Sequence, residues 1–279
     1  GPRVYVNKIN ISGNTRTIDK VIRREMNISE GDAYNKYSIN YSTDSIRALN
    51  YFSDVELNET RTDFPDKIDL NIKVEEKNTG EASLGAGYSS ATEASLQIGL
   101  KESNFLGKGQ NVNFSSSLSK TRNSYDISFT EPYFNNKSLS LTTQIYSKFT
   151  DPTSVNYETE DLGLGFVTRF PLAPSRNFEA RYSIFTSKVK ADSNATSYER
   201  LLAGTETVSI IGYSINFDQR NSRFKPSSGF NFKLSQDLAG LGGTSNYIKN
   251  SFEYNRYNRL TKRLIGAFKI QGGNINGYN

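Results

Sequence analysis

The sequence predicts two kinds of structure in one chain. A small α+β domain of order β-α-α-β-β occupies residues 1–77, and an antiparallel transmembrane β-barrel occupies residues 81–279, with residues 78–80 as the linker. Three observations carry that reading. Apolar residues repeat at helical spacing only before residue 50. From residue 81 onward the apolar residues alternate with small polar ones over long segments. Mean hydropathy is −0.61. No stretch approaches the roughly 18–20 apolar residues of a membrane helix, whereas barrel strands need only one apolar face.

The first domain is read in chain order. Val4, Val6, Ile9 and Ile11 open a strand, closed by the turn Ser12-Gly13-Asn14. Ile18, Val21, Ile22 and Met26 then share one helical face. Thr17 is the expected cap, although Lys20 stands where a capping box prefers Glu. Gly31 breaks the chain, and Ser38–Leu49 reads as a second helix with Ile39, Ile46 and Leu49 apolar. Tyr51–Glu59 and Lys67–Glu75 are two strands joined by a turn at Asp63–Asp66. Ile68, Leu70, Ile72 and Val74 alternate strictly in the second.

Eleven strands are expected after Gly80, and no further helix. The clearest are Ala82–Tyr88, Ala94–Leu100, Tyr125–Phe129, Phe178–Ile184, Ile211–Phe217, Phe230–Leu234 and Leu264–Ile270. They average about 17 residues per strand plus connection, which suits strands longer than those of a soluble sandwich. Small polar partners on the second face suit a wall between lipid and a wet lumen. Single-chain bacterial barrels have even strand numbers, so an odd count predicts a barrel continued beyond the C-terminus. If the first strand leaves the periplasm, the inward turns fall at 105–109, 132–136, 171–174, 218–229 and 258–262. The outward loops then include 150–157, 188–205 and 239–246.

Composition removes whole chemistries. The chain has no His and no Cys, so thiol nucleophiles, imidazole bases and Cys/His zinc sites are excluded. Net charge is +5, with Lys and Arg scattered rather than clustered, so nucleic-acid binding is not expected. Gly85-Ala-Gly87 and Gly163-Leu-Gly165 precede no helix and are not read as phosphate loops. Asp63, Asp66 and Asp69 lack calcium-loop spacing. No catalytic, cofactor or metal residue is expected, and the chain is read as not an enzyme.

Several segments resemble one family in collinear order. The stretch from Gly1 to Thr17 is similar to the start of the last POTRA domain of BamA-type outer-membrane assembly factors, of the bacterial surface antigen family. Val21–Glu25, Glu30-Gly31-Asp32, Tyr51–Val55 and Val74–Lys77 continue the likeness. Thr79-Gly80 and Gly85–Ser90 resemble the entry into that family's barrel. Glu102–Gly109, Phe129–Phe134, and Asp218–Asn221 with Pro226–Gly229 resemble its first, second and fourth periplasmic turns. The resemblance implies one POTRA domain and the first part of a 16-stranded barrel, in the bacterial outer membrane with the POTRA domain in the periplasm. The family's motif on the sixth outer loop and its last strands are not in the sequence.

What the resemblance implies about function is folding and insertion of nascent outer-membrane barrel proteins. The implied partners are those clients, periplasmic lipoproteins of the assembly complex, and outer-membrane lipid. The alternative within the superfamily is a two-partner-secretion or TamA-type translocation channel. Two strands are candidate client sites, because an exposed edge is a template for another strand. One is the POTRA strand with Tyr51, Phe52, Val55 and Leu57; the other is the first barrel strand with Leu84, Gly85, Gly87 and Tyr88. Asp218, Arg220, Pro226 and Gly229 are expected to be structural, as a lumen pair or a turn salt bridge.

Overall fold

The computed structural model describes residues 3–90 and 93–278. The first domain comprises β1 (Tyr5–Ser12), α1 (Asp19–Arg23), α2 (Lys36–Ala48), β2 (Phe52–Arg61) and β3 (Lys67–Glu76). Its sheet has the order β1-β3-β2, with β1 parallel and β2 antiparallel to the central β3. The alternation along β3 sends Leu70, Ile72 and Val74 into the core. Val6 and Ile9 join them from β1, and Val21, Ile22, Ile39 and Ile46 cover that face from the helices. This is one contiguous core, held by apolar burial rather than by any disulfide.

Both helices differ from the sequence expectation at their starts. Helix α2 begins two residues early because the Asn35 side chain caps it, accepting the Tyr37 N–H at 2.9 Å. Helix α1 is only five residues long, and its N-cap position is Ile18, with no side-chain cap. Thr17 is not the cap. It is buried and bonded elsewhere, as described below.

After Lys77–Thr79 the chain forms one meander: β4 (Gly80–Ser89), β5 (Glu93–Phe105), β6 (Gln110–Ser119), β7 (Arg122–Glu131), β8 (Ser140–Thr150), β9 (Tyr157–Ala173), β10 (Arg176–Ala191), β11 (Gly204–Asp218), β12 (Gly229–Ala239), β13 (Tyr247–Arg259) and β14 (Ile265–Gly277). These eleven strands of the described residues form one sheet in sequence order, with β4 and β14 as its outer strands. Pairing is antiparallel throughout β7–β14. Buried apolar residues almost vanish here: among the described residues only Ala195, Val208 and Ala239 qualify. A wall one strand thick, apolar on one side and polar on the other, has no interior to fill.

On the apolar face rings pack in rows across strands. Phe170, Phe178 and Tyr213 form one row, while Phe217 meets Phe232 and Phe230 meets Tyr254. Large residues also lie over glycines across strand pairs, with Tyr146 opposite Gly163 and Phe252 opposite Gly272. Such pairs cover the backbone that a glycine leaves bare.

Three local expectations are corrected. Strand β9 runs through Pro171 to Ala173, so the β9–β10 turn is only Pro174-Ser175. Pro171 is tolerated there because the register shifts between Arg176 and Asn177, a bulge that needs no proline N–H. Strands β9, β10 and β11 reach 17, 16 and 15 residues, well beyond their apolar stretches. A helix does occur after residue 80: α3 (Ser197–Leu202) lies in the β10–β11 connection. A full capping box fixes it, with Thr196 and Glu199 bonding each other's backbone N–H.

Candidate functional site

Among the described residues β2 pairs only with β3, so its other edge carries no strand there. Tyr51 just before β2, Phe52 and Val55 all turn their side chains into the core, at 6%, 6% and 1% exposure, because the register shifts between Phe52 and Asp54, and Leu57 packs against the same cluster. These four side chains are therefore not available to a client, and what β2 presents is its backbone. At Val55 even the backbone is covered. Its N–H donates to Asp54 Oδ1 at 2.9 Å, and its carbonyl accepts from Arg47 Nη2 at 2.8 Å. In an antiparallel strand a residue's N–H and C=O point to the same edge, so Val55 faces the unpaired side. By alternation Leu57 and Glu59 face it too. A groove of about 360 Å³ beside α2, lined by Lys36, Ile39, Thr43, Asp44, Arg47 and Leu57, accompanies this edge.

Strand β4 is the corresponding edge of the large sheet, with β5 as its neighbour. Leu84 and Tyr88 are largely exposed. Gly85 lies opposite Gln97 and Gly87 opposite Ser95, whose hydroxyl donates to the Gly87 carbonyl at 3.4 Å. Among the described residues β4 has a strand on its β5 side alone. Its candidate residues stand on one strand, but on different faces.

The 218–229 connection is long because it is a self-bonded loop. Asp218 and Arg220 form a two-pronged ion pair, with Nε–Oδ1 and Nη2–Oδ2 both at 2.8 Å. Of the two readings left open by the sequence, this is the turn salt bridge. Asn221 Oδ1 accepts the N–H groups of Ser227 at 2.9 Å and Ser228 at 3.0 Å, which folds the segment before Gly229 back on itself. Pro226 is half-buried within that fold. Gly229 has φ +95°, and a Cβ there would run into the Gln219 backbone.

Two features of the polar network escaped the sequence reading. On the polar face Arg181 of β10 reaches Asp237 of β12, with Nε–Oδ1 at 2.8 Å, across Gly212 of β11. Only the three-strand register reveals it. The other involves Thr17. Its hydroxyl accepts from Asn104 Nδ2 at 2.8 Å, and Asn104 Oδ1 accepts the Gly109 N–H at 2.7 Å. The Ile18 N–H donates to the Gly107 carbonyl at 3.0 Å. Gly107 has φ +71°, and a Cβ would strike the Arg16 carbonyl. Residues Lys101–Val112 accordingly belong to the same compact unit as Gly1–Glu81. Below this junction Glu76 accepts the N–H groups of Thr15, Arg16 and Thr17 at 3.1, 2.9 and 2.6 Å, and the Thr15 hydroxyl at 2.7 Å. Burial alone would raise its pKa, but those donors outweigh it and bring the carboxyl down to about 2.

Residues 104–279 match the family model described as the Omp85 superfamily domain, and residues 4–77 match the POTRA model described as the surface antigen variable number repeat. The chain belongs to the Omp85 superfamily. Among curated relatives, the outer membrane protein assembly factor BamA of Nitratidesulfovibrio vulgaris is 28% identical over 98% of this chain and 35% of its own length. The BamA of Neisseria meningitidis serogroup B is 34% identical over 62% of this chain and 22% of its own length. The sorting and assembly machinery component 50 homolog of Mus musculus is 28% identical over 75% of this chain and 45% of its own length. The Omp85 chain thus spans about a third of the length of the BamA relatives it matches most fully.

Solved structures agree on the fold. The crystal structure of BamA from Haemophilus ducreyi lacking POTRA domains 1–3 aligns with a TM-score of 0.84 and 22% identity, covering 100% of this chain and 56% of that one. CdiB from Acinetobacter baumannii aligns with a TM-score of 0.57 and 12% identity, covering 99% and 53%. The Omp85 chain combines a POTRA domain with an antiparallel sheet of the BamA barrel type. Its compartment follows from the family: the barrel strands lie in the outer membrane and the POTRA domain in the periplasm.

Proposed function

We propose that the chain works in the outer-membrane barrel assembly machinery, folding and inserting nascent barrel proteins without covalent chemistry. The observation that carries this reading is the pair of strand edges that it offers, β2 in the POTRA domain and β4 in the barrel sheet. An unpaired edge binds an extended segment through main-chain hydrogen bonds, largely irrespective of client sequence. The backbone at Leu57 and Glu59 collects extended clients. The seam beside β4 then opens and offers its edge to client hairpins. Periplasmic lipoproteins of the assembly complex and outer-membrane lipid are the other partners. The assembly-factor names of the relatives support the same reading.

The test is depletion of the full-length protein in its host. General loss of folded outer-membrane barrels, with precursors accumulating in the periplasm, is the expected result. Normal barrels with loss of a single exported protein would replace this reading with that of a two-partner-secretion or TamA-type channel. A disulfide locking β4 to its closing strand in the full-length protein is expected to abolish assembly. Undiminished assembly under that lock would remove the seam from the mechanism.

A further inference from the structure

Because the sheet is a meander, the β7–β8, β9–β10, β11–β12 and β13–β14 turns all lie at one end. This is the end at which the chain enters β4. The two ends differ in charge. In these four turns the ionisable residues are Lys137, Arg220, Arg223, Lys225, Lys262 and Arg263, with no Asp or Glu. Among the described connections at the opposite end, between β6 and β13, Asp151, Asp192 and Glu199 outnumber Lys120 and Arg200. Asp218 holds Arg220 and is also approached by Arg223 Nε at 3.7 Å; Lys137, Arg223, Lys225, Lys262 and Arg263 are exposed.

The cations are interleaved with exposed apolar side chains. Phe224 stands between Arg223 and Lys225 at 98% exposure, and Leu260 and Leu264 flank Lys262 and Arg263 at 62% and 55%. The β11–β12 and β13–β14 turns are neighbours and are tied together, Arg259 Nη2 donating to Ser227 Oγ at 2.9 Å. Just inside them, on the apolar face, run the rings of Phe217, Phe232, Phe230 and Tyr254. A ring belt of this kind marks the level of a membrane interface.

We infer that the two tied turns form a binding site for anionic phospholipid headgroups in the leaflet at the chain-entry end. The site continues the lipid-facing surface past its aromatic belt. Phe224, Leu260 and Leu264 enter the headgroup and upper acyl region, while the neighbouring cations meet phosphates. Basic residues near an anionic surface attract it, a force that salt screens within a Debye length. An acidic protein partner would also satisfy the cations. It fits less well, because the cations recur from Lys137 to Arg263 along the rim and alternate with residues suited to acyl chains. The inference concerns what holds the barrel at its depth, and stands whichever client or cargo the barrel handles.

The experiment uses the full-length protein in its native membrane, with a photo-crosslinking phenylalanine analogue at position 224 or 260. Crosslinked phospholipid, identified by mass after protease digestion, is the expected adduct. In parallel, the purified protein is extracted from vesicles of phosphatidylcholine and phosphatidylglycerol, and its retained lipids are weighed by native mass spectrometry. Enrichment of phosphatidylglycerol is expected. It should fall several-fold in the variant R223Q/K225Q/K262Q/R263Q and at high salt, but not in K120Q/R200Q at the other end. Protein adducts without lipid adducts at both positions would overturn the proposal. So would equal enrichment in the two charge variants, provided both keep the heat-resistant folded form of the barrel.

Discussion

Arg181 and Asp237 stand on β10 and β12, two strands apart, and meet across Gly212 of the strand between them. The ion pair exists only because Gly212 has no side chain. A Cβ there would lie on the Asp237 carboxylate and press on Arg181 Nε, whereas one at Gly165 meets nothing nearer than the Tyr182 carbonyl at 3.9 Å.

Gly212→Ala is therefore expected to lower the temperature at which the folded barrel is lost on heating, by an amount equivalent to about 1.5–3 kcal/mol, the range for a charged hydrogen bond. Gly165→Ala should leave it unchanged or raise it slightly by restricting the unfolded chain. Equal effects of the two would mean that the bridge carries no stability. The shift of the folded band with temperature in gel electrophoresis reads the difference.

Asn104 bonds on both sides, donating to Thr17 and accepting from Gly109. Asn104→Ala strands the Gly109 N–H, whereas Thr17→Val keeps that bond but removes the hydroxyl that accepts from Asn104 and also bonds Glu76. The Gly109 amide should therefore lose protection in Asn104→Ala, by about 1–3 kcal/mol, and keep more of it in Thr17→Val. Hydrogen exchange at the Gly109 amide measures it, and comparable protection in both variants would contradict the geometry.

Glu76 gives the POTRA domain an acid-sensitive element. Its folded pKa, about 2, lies below the ordinary 4.5, so its contribution is complete above pH 4.5 and lost as pH falls toward 2. Glu76→Gln removes the charge at every pH. The stability gap between native and variant should be widest near neutrality and close across that window, as followed by urea denaturation at stepped pH. A constant gap would show that the carboxylate's charge is not what the Thr15–Thr17 segment binds.

Arg47 covers the Val55 carbonyl on the open edge of β2. Arg47→Ala frees that acceptor and should tighten binding of an extended peptide along β2 by about five-fold, the worth of one hydrogen bond near 1 kcal/mol. Fluorescence anisotropy of a labelled strand-forming peptide provides the reading. Weaker binding would make Arg47 a contact for the client rather than a cover for the edge.

The strands were legible because lipid and water impose opposite demands on alternate residues, so each apolar stretch from Leu84 to Ile270 announced its face. The same rule hid the ends of β9 and β10. Tyr157–Glu160 and Lys188–Ala191 pair with each other, and although they alternate, their weaker face holds only Tyr157, Thr159, Val189 and Ala191, too little apolar surface to mark a strand. Helix α3 could have been found: Thr196 and Glu199 stand at capping-box spacing, but a six-residue helix offers no apolar period to confirm it. Thr17 was misread for the opposite reason. It has the residue type and position of a cap, and its true partner, Asn104, lies 87 residues away. In β2, an outer strand of its sheet, periodicity could not show that Tyr51, Phe52, Val55 and Leu57 turn to the core, because the register shift between Phe52 and Asp54 breaks the alternation.

The glycines that lie opposite large residues also affect how the sheet is put together in time. Phe252 fits over Gly272; displaced by two residues, it would meet Ile270 or Asn274. Asp237 fits beside Gly212; displaced likewise, it would meet Ile210 or Ser214. A two-residue slip preserves which side chains face lipid, so hydrophobicity does not reject it. These notches do. A hairpin that docks out of step lacks its fit, detaches sooner, and tries again before the next hairpin traps the mistake.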